Sequence, residues 1–301
     1  MRVFLWSGPD LKYKGAKVSW VDISLPKNEG GLGIKNLEIW NKAVMSKHIW
    51  NLIRLDSSSL WVDWVKLYLF RDHSFWDIPI PKSCSWTWRK ILKLQPLIRP
   101  LIQHIIGDGA DTWLWVDEWL PQGPIIQVFD ERTVHASQLP RNARVASIIN
   151  NGTWVWPHAN STYMLALMQS ILENMVPNIS SKDQVRWKPS VSGYFSTSTA
   201  WQAFRSPAPK VTWHKLIWFL AAIPKAGFIL WLAIRGRLGT QDRFHIHPLN
   251  LSCLLCDGQV EDHDHLFFNC PFSWAIWSEI LTKCDIHPVQ MPWDQCIDWM
   301  V

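Results

Sequence analysis

Residues 253–270 read CLLCDGQVEDHDHLFFNC, and this stretch decides how the C-terminal part of the chain folds. Cys253 and Cys256 form a Cys-x2-Cys pair, and His265 and Cys270 follow at spacings that occur in zinc sites. Thiolate sulfur and imidazole nitrogen are ligands that suit this metal ion. Four protein ligands leave no position open for water, so the spacing predicts one structural Zn²⁺.

The assignment of the fourth ligand has a competitor in the sequence. His263 lies two residues before His265, although His265 directly precedes the apolar residues 266–268 and is better placed at a helix start. A disulfide framework is the other alternative, and it would require an oxidising compartment. Residues 1–10 contain no apolar run typical of a signal peptide, which disfavours secretion. The remaining thiols, predicted to be buried or incidental, are Cys84, Cys284 and Cys296.

An apolar stretch immediately before the cysteines, Leu216–Ile234, is long enough to suggest a membrane span. Pro224 and Lys225 lie at its centre, however. A lysine near the bilayer midplane costs about 2.5–3.5 kcal/mol, and proline interrupts the hydrogen bonds of a helix. The pattern therefore predicts two short buried helices that meet at Pro224, and no membrane partner.

Local patterns predict the other elements and an α+β fold class that is helix-rich, with small β-hairpins and a Cys3His zinc-binding module. The predicted helices begin after Asn36 and lie at Trp61–Leu69, Ser85–Leu94, Tyr163–Met175, Ala200–Phe204 and Ser273–Lys283. The predicted strands are Lys17–Leu25, Thr112–Val116, a hairpin around Asn151-Gly152, and a pair at Gln184–Lys188 and Gly193–Phe195.

Composition and charge limit the possible classes of protein. The chain has 301 residues, of which 48% are hydrophobic and 18% charged, so it can form a packed core and is not disordered throughout. Residues 1–100 contain sixteen Lys and Arg against eight Asp and Glu, within a total net charge of +5. A basic N-terminal region suits a polyanionic partner, although an ordinary solvated surface explains it equally well.

Several motifs around the cysteines are similar to those of a known family. They are Trp187-Lys188-Pro189, Gly193-Tyr194-Phe195-Ser196, Ile223-Pro224-Lys225, Trp231-Leu232-Ala233 and Gly236-Arg237-Leu238, together with the four ligands. Over residues 183–285 they resemble the zinc-binding domain that follows the reverse transcriptase in plant non-LTR (LINE-type) retrotransposons. Motifs within residues 4–43 and 107–119 also resemble these polyproteins, in the region after their polymerase.

The resemblance implies an organisation of the chain. Residues 1–124 resemble the segment after the polymerase thumb, 125–182 form a connector, 183–285 the zinc-binding domain and 286–301 a tail. The Tyr-x-Asp-Asp metal site of such polymerases is absent, and we find neither an endonuclease module nor a set of RNase H carboxylates. The chain is therefore predicted to be a fragment without the polymerase core, and not an enzyme.

The expected function follows from the resemblance and from charge. Residues 253–270 contain four acidic residues and no Lys or Arg, so this loop should repel phosphate. The candidate contacts to nucleic acid, on the segments leading into the loop, are Lys225, Arg235, Arg237 and Arg243.

We therefore expect a non-catalytic zinc-binding accessory region of a retrotransposon reverse transcriptase. Its expected partners are RNA or DNA and a polymerase domain of the parent polyprotein, and the resemblance implies an intracellular, nuclear location. A protein-interaction zinc module without nucleic-acid binding is the alternative.

Overall fold

The computed structural model describes most of the chain. The described residues are 6, 16–56, 59–129, 131–156, 162–171, 176–243 and 252–301, without the side chains of residues 162, 163, 170 and 243. By packing, the chain divides into two compact units. Unit 1 comprises Met1–Asn36 and Pro207–Val301, and unit 2 comprises Leu37–Ser206. The domain boundaries expected from the sequence at residues 124, 182 and 285 stay predictions.

The described part of the chain is rich in short helices. They are α1 (Trp20–Ile23), α2 (Leu37–Ile53), α3 (Leu60–Val65), α4 (Trp86–Lys93), α5 (Gln95–Ile98), α6 (Ile125–Val128), α7 (Glu131–Ser137), α8 (Thr162–Ser170), α9 (Thr197–Phe204), α10 (His214–Ile217), α11 (Pro224–Ile234), α12 (Pro271–Lys283) and α13 (Trp293–Met300). Two π-helical turns, Lys66–Phe70 and His265–Asn269, interrupt the α-helical geometry.

Four short strands form two antiparallel pairs. They are β1 (Ile102–Ile105), β2 (Ile149–Asn150), β3 (Thr153–Trp154) and β4 (Gln184–Trp187). The hairpin of β2 and β3 turns at Asn151 and Gly152, both with positive φ, as predicted. The predicted helix-rich α+β fold with small antiparallel pairs is confirmed.

One hydrophobic cluster of unit 2 forms around α2, which packs against α9, and another forms between residues 114 and 167. Helix α2 buries Ile49 and Trp50, among other apolar residues. Helix α9 begins at a capping box in which Ser196 and Thr199 each accept a hydrogen bond from the other's backbone N–H. The indole N–H of the fully buried Trp187 donates to Thr199 Oγ1 at 2.9 Å. The predicted helices at these two places are confirmed.

Of the two short strands expected after residue 183, Gln184–Lys188 is confirmed as β4, whereas the expected strand Gly193–Phe195 is wrong. Strand β4 pairs instead with β1, in the register Ile102↔Trp187 to Ile105↔Gln184. The N–H of Trp187 donates to the carbonyl of Gly193 at 2.7 Å, which closes a tight turn rather than a ladder. The pairing of these distant strands buries both Ile102 and Trp187 completely. A short stretch of sequence does not contain the information that this burial will stabilise the fold.

Two further strand predictions are also wrong, for a shared reason. Within Lys17–Leu25 the chain forms α1, whose first turn is capped because Ser19 Oγ accepts from the N–H of Asp22 at 3.1 Å. Thr112–Val116 forms turns, held by the N–H of Trp113 donating to Asp117 Oδ2 at 2.8 Å. Side-chain oxygens that bond to nearby backbone groups compete with strand formation.

The apolar stretch of unit 1 folds only in part as the sequence predicts, because its two helices do not meet at Pro224. It contains α10 and α11, and Pro224 is the first residue of α11, where its missing N–H costs no hydrogen bond. The first of these helices is shorter than expected, since it ends at Ile217. Among the described residues, no helix combines the length and apolar character that a membrane crossing requires.

A buried carboxylate organises the loop after β1 in unit 2. Asp183 is 3% exposed and accepts hydrogen bonds from the N–H groups of Gly107 at 2.7 Å, Gly109 at 2.9 Å and Asp111 at 3.1 Å. It also accepts from Thr112 Oγ1 at 2.7 Å. This residue thus supplies the acceptors that a sheet would otherwise provide.

We expect Asp183→Asn to lower the free energy of unfolding by about 2–4 kcal/mol, because an amide cannot accept all four donors and leaves buried groups unsatisfied. Urea unfolding followed by tryptophan fluorescence measures the change. Asp63→Asn, at an exposed position on α3, is the matched control and should change stability by less than about 0.5 kcal/mol. Equal effects of both variants would contradict the role assigned to Asp183.

Candidate metal centre

The first two predicted ligands lie on a tight turn. The N–H of Asp257 donates to the carbonyl of Cys253 at 2.8 Å, and the N–H of Leu255 approaches Cys253 Sγ at 3.4 Å. Asp257 adopts a left-handed conformation with φ of 52°, directly after Cys256. This turn brings the two sulfur atoms of the Cys-x2-Cys pair to the same side.

The other two ligands lie on either side of a π-helical turn. His265 begins this turn, and its N–H donates to Asp262 Oδ1 at 2.8 Å. Cys270 ends the turn, with its N–H donating to the carbonyl of His265 at 2.7 Å, and is also the N-cap residue of α12. His265 and Cys270 are five residues apart in sequence, and the wider π turn therefore places them next to each other in space.

The four side chains converge on one point. Their ligand atoms all lie within 4.8 Å of one another, and three of the residues (Cys253, His265 and Cys270) are buried. Cys253 Sγ and Cys270 Sγ are 3.9 Å apart. In a tetrahedral zinc site with Zn–S bonds of about 2.3 Å, two sulfurs lie about 3.8 Å apart. The spacing and the donor set of three sulfurs and one nitrogen therefore fit a zinc ion.

The geometry also decides between the two histidines. His265 Nε2 lies 3.3 Å from Cys256 Sγ, within the cluster. The ring of His263 instead packs against Trp293, with centroids 4.6 Å apart, and against Phe267 at 5.1 Å. In the part of the chain that the structure describes, no second group of His, Cys, Asp or Glu has the geometry of a metal site.

The cysteines differ in their electrostatic surroundings. Burial raises the pKa of the Cys253 thiol, although the backbone N–H groups of Leu255 and Cys256 act in the opposite direction. At Cys270 burial again acts to raise the pKa, but hydrogen bonds from the N–H groups of Ser273 and Phe272 and from the neighbouring thiols outweigh it and lower the pKa. The start of α12 thus favours a thiolate at Cys270, as helix N-termini do.

The acidic residues of the loop serve its local structure. Glu261 is buried, and its Oε2 accepts from the N–H of Leu254 at 3.4 Å, while Asp262 caps the turn at His265. Three apolar side chains on the same loop remain exposed, Leu254 at 78%, Leu255 at 45% and Val260 at 51%. The loop surface therefore combines acidic and apolar groups and has no basic residue.

The metal loop is joined to the rest of unit 1 through aromatic packing. Phe268 packs in one cluster with Ala233 of α11 and with Trp293 of α13, and its ring lies 5.8 Å from that of Trp277. Trp231 lies in a different cluster, with Ile23 and Ile217. Helix α11 therefore contacts the metal loop through one face and the N-terminal segment through another.

Of the four basic residues predicted to contact nucleic acid, Lys225 and Arg237 are exposed at the two ends of α11. Arg235 is directed inward, since its Nε donates to the carbonyl of Gly30 at 3.2 Å and its Nη1 lies 3.7 Å from Asp22 Oδ2. The side chain of Arg243 lies outside the described residues. Contacts of these residues with nucleic acid stay predictions.

Sequence reasoning missed the part that the N-terminal segment plays in this unit. The carbonyl of Gly30 accepts from Trp231 Nε1 at 2.8 Å, and buried Glu29 accepts from the N–H of Ala208 at 2.9 Å. A Cβ atom at Gly31 would lie 2.1 Å from the carbonyl oxygen of Leu25, so this close approach requires glycine. The glycine run at residues 30–33 was the available signal for a close backbone contact.

Comparison with known proteins places this centre in a family. Residues 195–277, which include all four ligands, match the family described as zinc-binding in reverse transcriptase. The predicted resemblance is confirmed. Residues 195–277 are therefore similar to a zinc-binding domain of this type. No solved structure matches the chain significantly.

Two relatives from Arabidopsis thaliana extend the comparison. One, named as a ribonuclease H protein, is 26% identical over 305 residues, which covers 94% of this chain and 47% of that protein. The other, an uncharacterized mitochondrial protein, is 28% identical over 121 residues, or 40% of this chain and 78% of that protein. The chain thus spans about half the length of the first relative.

The prediction that the chain is not an enzyme is corrected by this comparison. The relative that matches 94% of the chain is named as a ribonuclease H protein, which points to an enzyme. The prediction depended on polymerase, endonuclease and RNase H motifs that are absent from the sequence. Missing motifs exclude little in a chain that spans about half of its relative.

We expect the purified chain to bind about one zinc ion, and Cys256→Ser to reduce this to a small fraction, because three ligands hold the metal far more weakly than four. Elemental analysis after dialysis measures the metal content. Cys284→Ser is the matched control, since Cys284 is exposed and lies outside the cluster. Full zinc content in Cys256→Ser would contradict the ligand assignment.

The two neighbouring arginines after α11 should differ in their effect on stability. We expect Arg235→Ala to lower the free energy of unfolding by about 1–2 kcal/mol, because it removes the hydrogen bond to Gly30 and the contact with the Trp231 ring. Arg237→Ala, at an exposed position, should change it by less than about 0.5 kcal/mol. Thermal unfolding of the two variants measures the difference, and equal losses would disprove it.

Proposed function

We propose that the chain is a zinc-organised nucleic-acid-binding region of a LINE-type retrotransposon reverse transcriptase. The observation that carries the proposal is the position of Arg237. This exposed cation follows directly after the helix that packs on the metal loop. The metal would thus hold a basic side chain in place without contacting the nucleic acid itself.

The end of α11 orients this residue through its backbone. The N–H of Arg237 donates to the carbonyl of Leu232 at 2.7 Å, and that of Gly236 to the carbonyl of Ala233, also at 2.7 Å. Gly236 has a φ of 58°, so these two hydrogen bonds form a Schellman motif. A helix end closed in this way gives Arg237 a defined direction.

The distribution of charge supports a contact at α11 rather than at the metal loop. The loop contains only acidic charges, and three thiolates on one dication would add a further negative charge. Lys225, in the first turn of α11, and Arg237, just after its end, are exposed cations. Phe219, before the helix, is 57% exposed and offers a ring on which a base could stack. Phosphate and base contacts of this kind are typical of single-strand binding.

The wider setting follows from the family. RNA or DNA is the proposed partner, together with a polymerase domain of the same polyprotein, and the proposed location is intracellular, in the nucleus. The description of the matched family as zinc-binding in reverse transcriptase supports this setting.

One observation favours a second candidate, a module that binds another protein. Leu254, Leu255 and Val260 on the metal loop are exposed by 78%, 45% and 51%. Exposed apolar groups rimmed by charge are typical of protein contacts. Such binding would depend little on salt, which separates the two candidates.

We expect the chain to bind a fluorescent single-stranded oligonucleotide with an affinity that falls steeply with salt, because phosphate contacts release counterions. Lys225→Ala combined with Arg237→Ala should weaken binding by about tenfold and lower the salt slope by about 0.7 for each phosphate contact that is lost. Fluorescence anisotropy between low and moderate salt measures both quantities, with RNA and DNA compared directly.

Lys210→Ala is the matched control, since it removes one exposed charge of the same unit outside α11. An equal loss of oligonucleotide affinity in the control would indicate non-specific electrostatic attraction by the net charge rather than a binding site at α11. Oligonucleotide binding absent in the zinc-loaded chain would refute the proposal and leave the protein-binding candidate.

A further inference from the structure

Unit 2 contains a cavity of about 250 Å³ that belongs to neither the metal centre nor α11. It lies between the end of α2, the π-helical turn Lys66–Phe70 and the loop after β1. Its polar lining is Lys66, Arg71, His73, Ser74, His104, Asp111, Asp117 and Arg144, and its apolar lining includes Leu52, Phe70, Phe75 and Trp76. This volume lies slightly below that of typical small-molecule pockets, so the cavity can enclose part of a larger ligand.

The lining is predominantly basic. Lys66, Arg71 and Arg144 face two carboxylates, and one of these is already engaged. Asp117 accepts hydrogen bonds from Ser74 Oγ at 3.0 Å and from the N–H of Trp113 at 2.8 Å. Its Oδ2 also lies 3.7 Å from the Nε2 of His104. The cations therefore exceed the acceptors that are available to them within the lining.

The inner wall includes a buried histidine. His104 is 5% exposed, and its Nδ1 has no hydrogen-bond partner among the described residues. This atom has almost no accessible surface, so it marks a buried polar position behind the wall and is not counted as a contact to a ligand. The neighbouring rings of Phe70, Phe75 and Trp76 are buried and form an apolar surface beside it.

The position of the basic side chains is structurally determined. The guanidinium of Arg144 lies 3.4 Å from the ring centroid of Trp113 and donates to the carbonyl of Asp111 at 2.8 Å. Burial lowers the pKa of Arg144, although nearby aspartates, Asp117 first among them, act in the opposite direction. Arg71 has φ of 51° and ψ of −123°, a conformation that favours glycine. Backbone strain of this kind is often found at binding sites.

We propose that this cavity binds a nucleotide, with its phosphate held by Lys66 and Arg71 and its planar base against the apolar wall near His104. A phosphate accepts hydrogen bonds from Lys and Arg with the strength of charge-assisted bonds. A purely apolar ligand would leave these cations unpaired, and a metal cation would be repelled by them. The inference does not depend on the nucleic-acid contacts proposed for α11, because it concerns different residues in the other unit.

Isothermal titration calorimetry with AMP, adenosine and inorganic phosphate tests the proposal on the full-length, zinc-loaded chain. We expect AMP to bind more tightly than either of its parts, because only AMP engages both the basic residues and the apolar wall. Lys66→Glu should weaken AMP binding by about tenfold or more. Lys93→Glu, an equal charge reversal at an exposed position of α4 outside the cavity, should change it by less than about twofold.

Arg71→Gly provides a second variant that keeps the test decisive if Lys66→Glu is unstable. It removes the guanidinium and at the same time relieves the positive φ, so the fold is expected to be retained. We expect it also to weaken AMP binding, while the Lys225→Ala and Arg237→Ala double variant leaves AMP binding unchanged. The inference is overturned if AMP does not bind at millimolar concentration, or if Lys93→Glu weakens it as much as Lys66→Glu.

Discussion

The structure of unit 1 depends on the convergence of three cysteines and one histidine within 4.8 Å. With zinc bound, the three cysteines would be thiolates, and the cation would offset the repulsion among them. Within the metal loop, the residues from Cys253 to His265 include few apolar side chains, so this segment cannot fold by burial alone. Structural zinc contributes on the order of 10–16 kcal/mol in small metal-binding peptides, which exceeds the stability of most domains. The packing of Phe268 on α11 and α13 follows from this loop.

Unit 2 has a comparable polar centre in Asp183. Its carboxylate replaces the acceptors of a regular sheet for the loop at residues 107–112. Asp111, in that loop, and Trp113, directly after it, hold Arg144 in the wall of the basic cavity. The carbonyl of Asp111 accepts a hydrogen bond from Arg144, and the guanidinium stacks on the Trp113 ring. Each unit thus has an irregular segment that one buried group of side chains holds together, the metal ligands in unit 1 and Asp183 in unit 2. Each segment contacts an element that positions a candidate binding residue, Arg237 in unit 1 and Arg144 in unit 2.

The comparisons and the packing divide the chain differently. The family match covers residues 195–277, whereas the compact units meet in sequence at Ser206 and Pro207. The segment of highest family similarity therefore includes α9, whose side chains pack with α2. The comparison also shows why the absence of catalytic motifs was a poor argument against an enzyme. The chain spans only 47% of the length of one relative, so motifs missing from the chain say little about catalysis.

Local chemistry in the sequence determined the metal ligands, the helix caps and the break at Pro224, because each depends on residues close together in the chain. The π turn brings His265 beside Cys270, which is only five residues away, so this contact is also local in sequence. Only the tertiary structure decided that β4 pairs with β1, that Gly30 accepts from Trp231 and Arg235, and that Lys66 and Arg144 line one cavity. These contacts join residues far apart in sequence, and their gain is the burial of whole surfaces, which no short pattern of residues encodes.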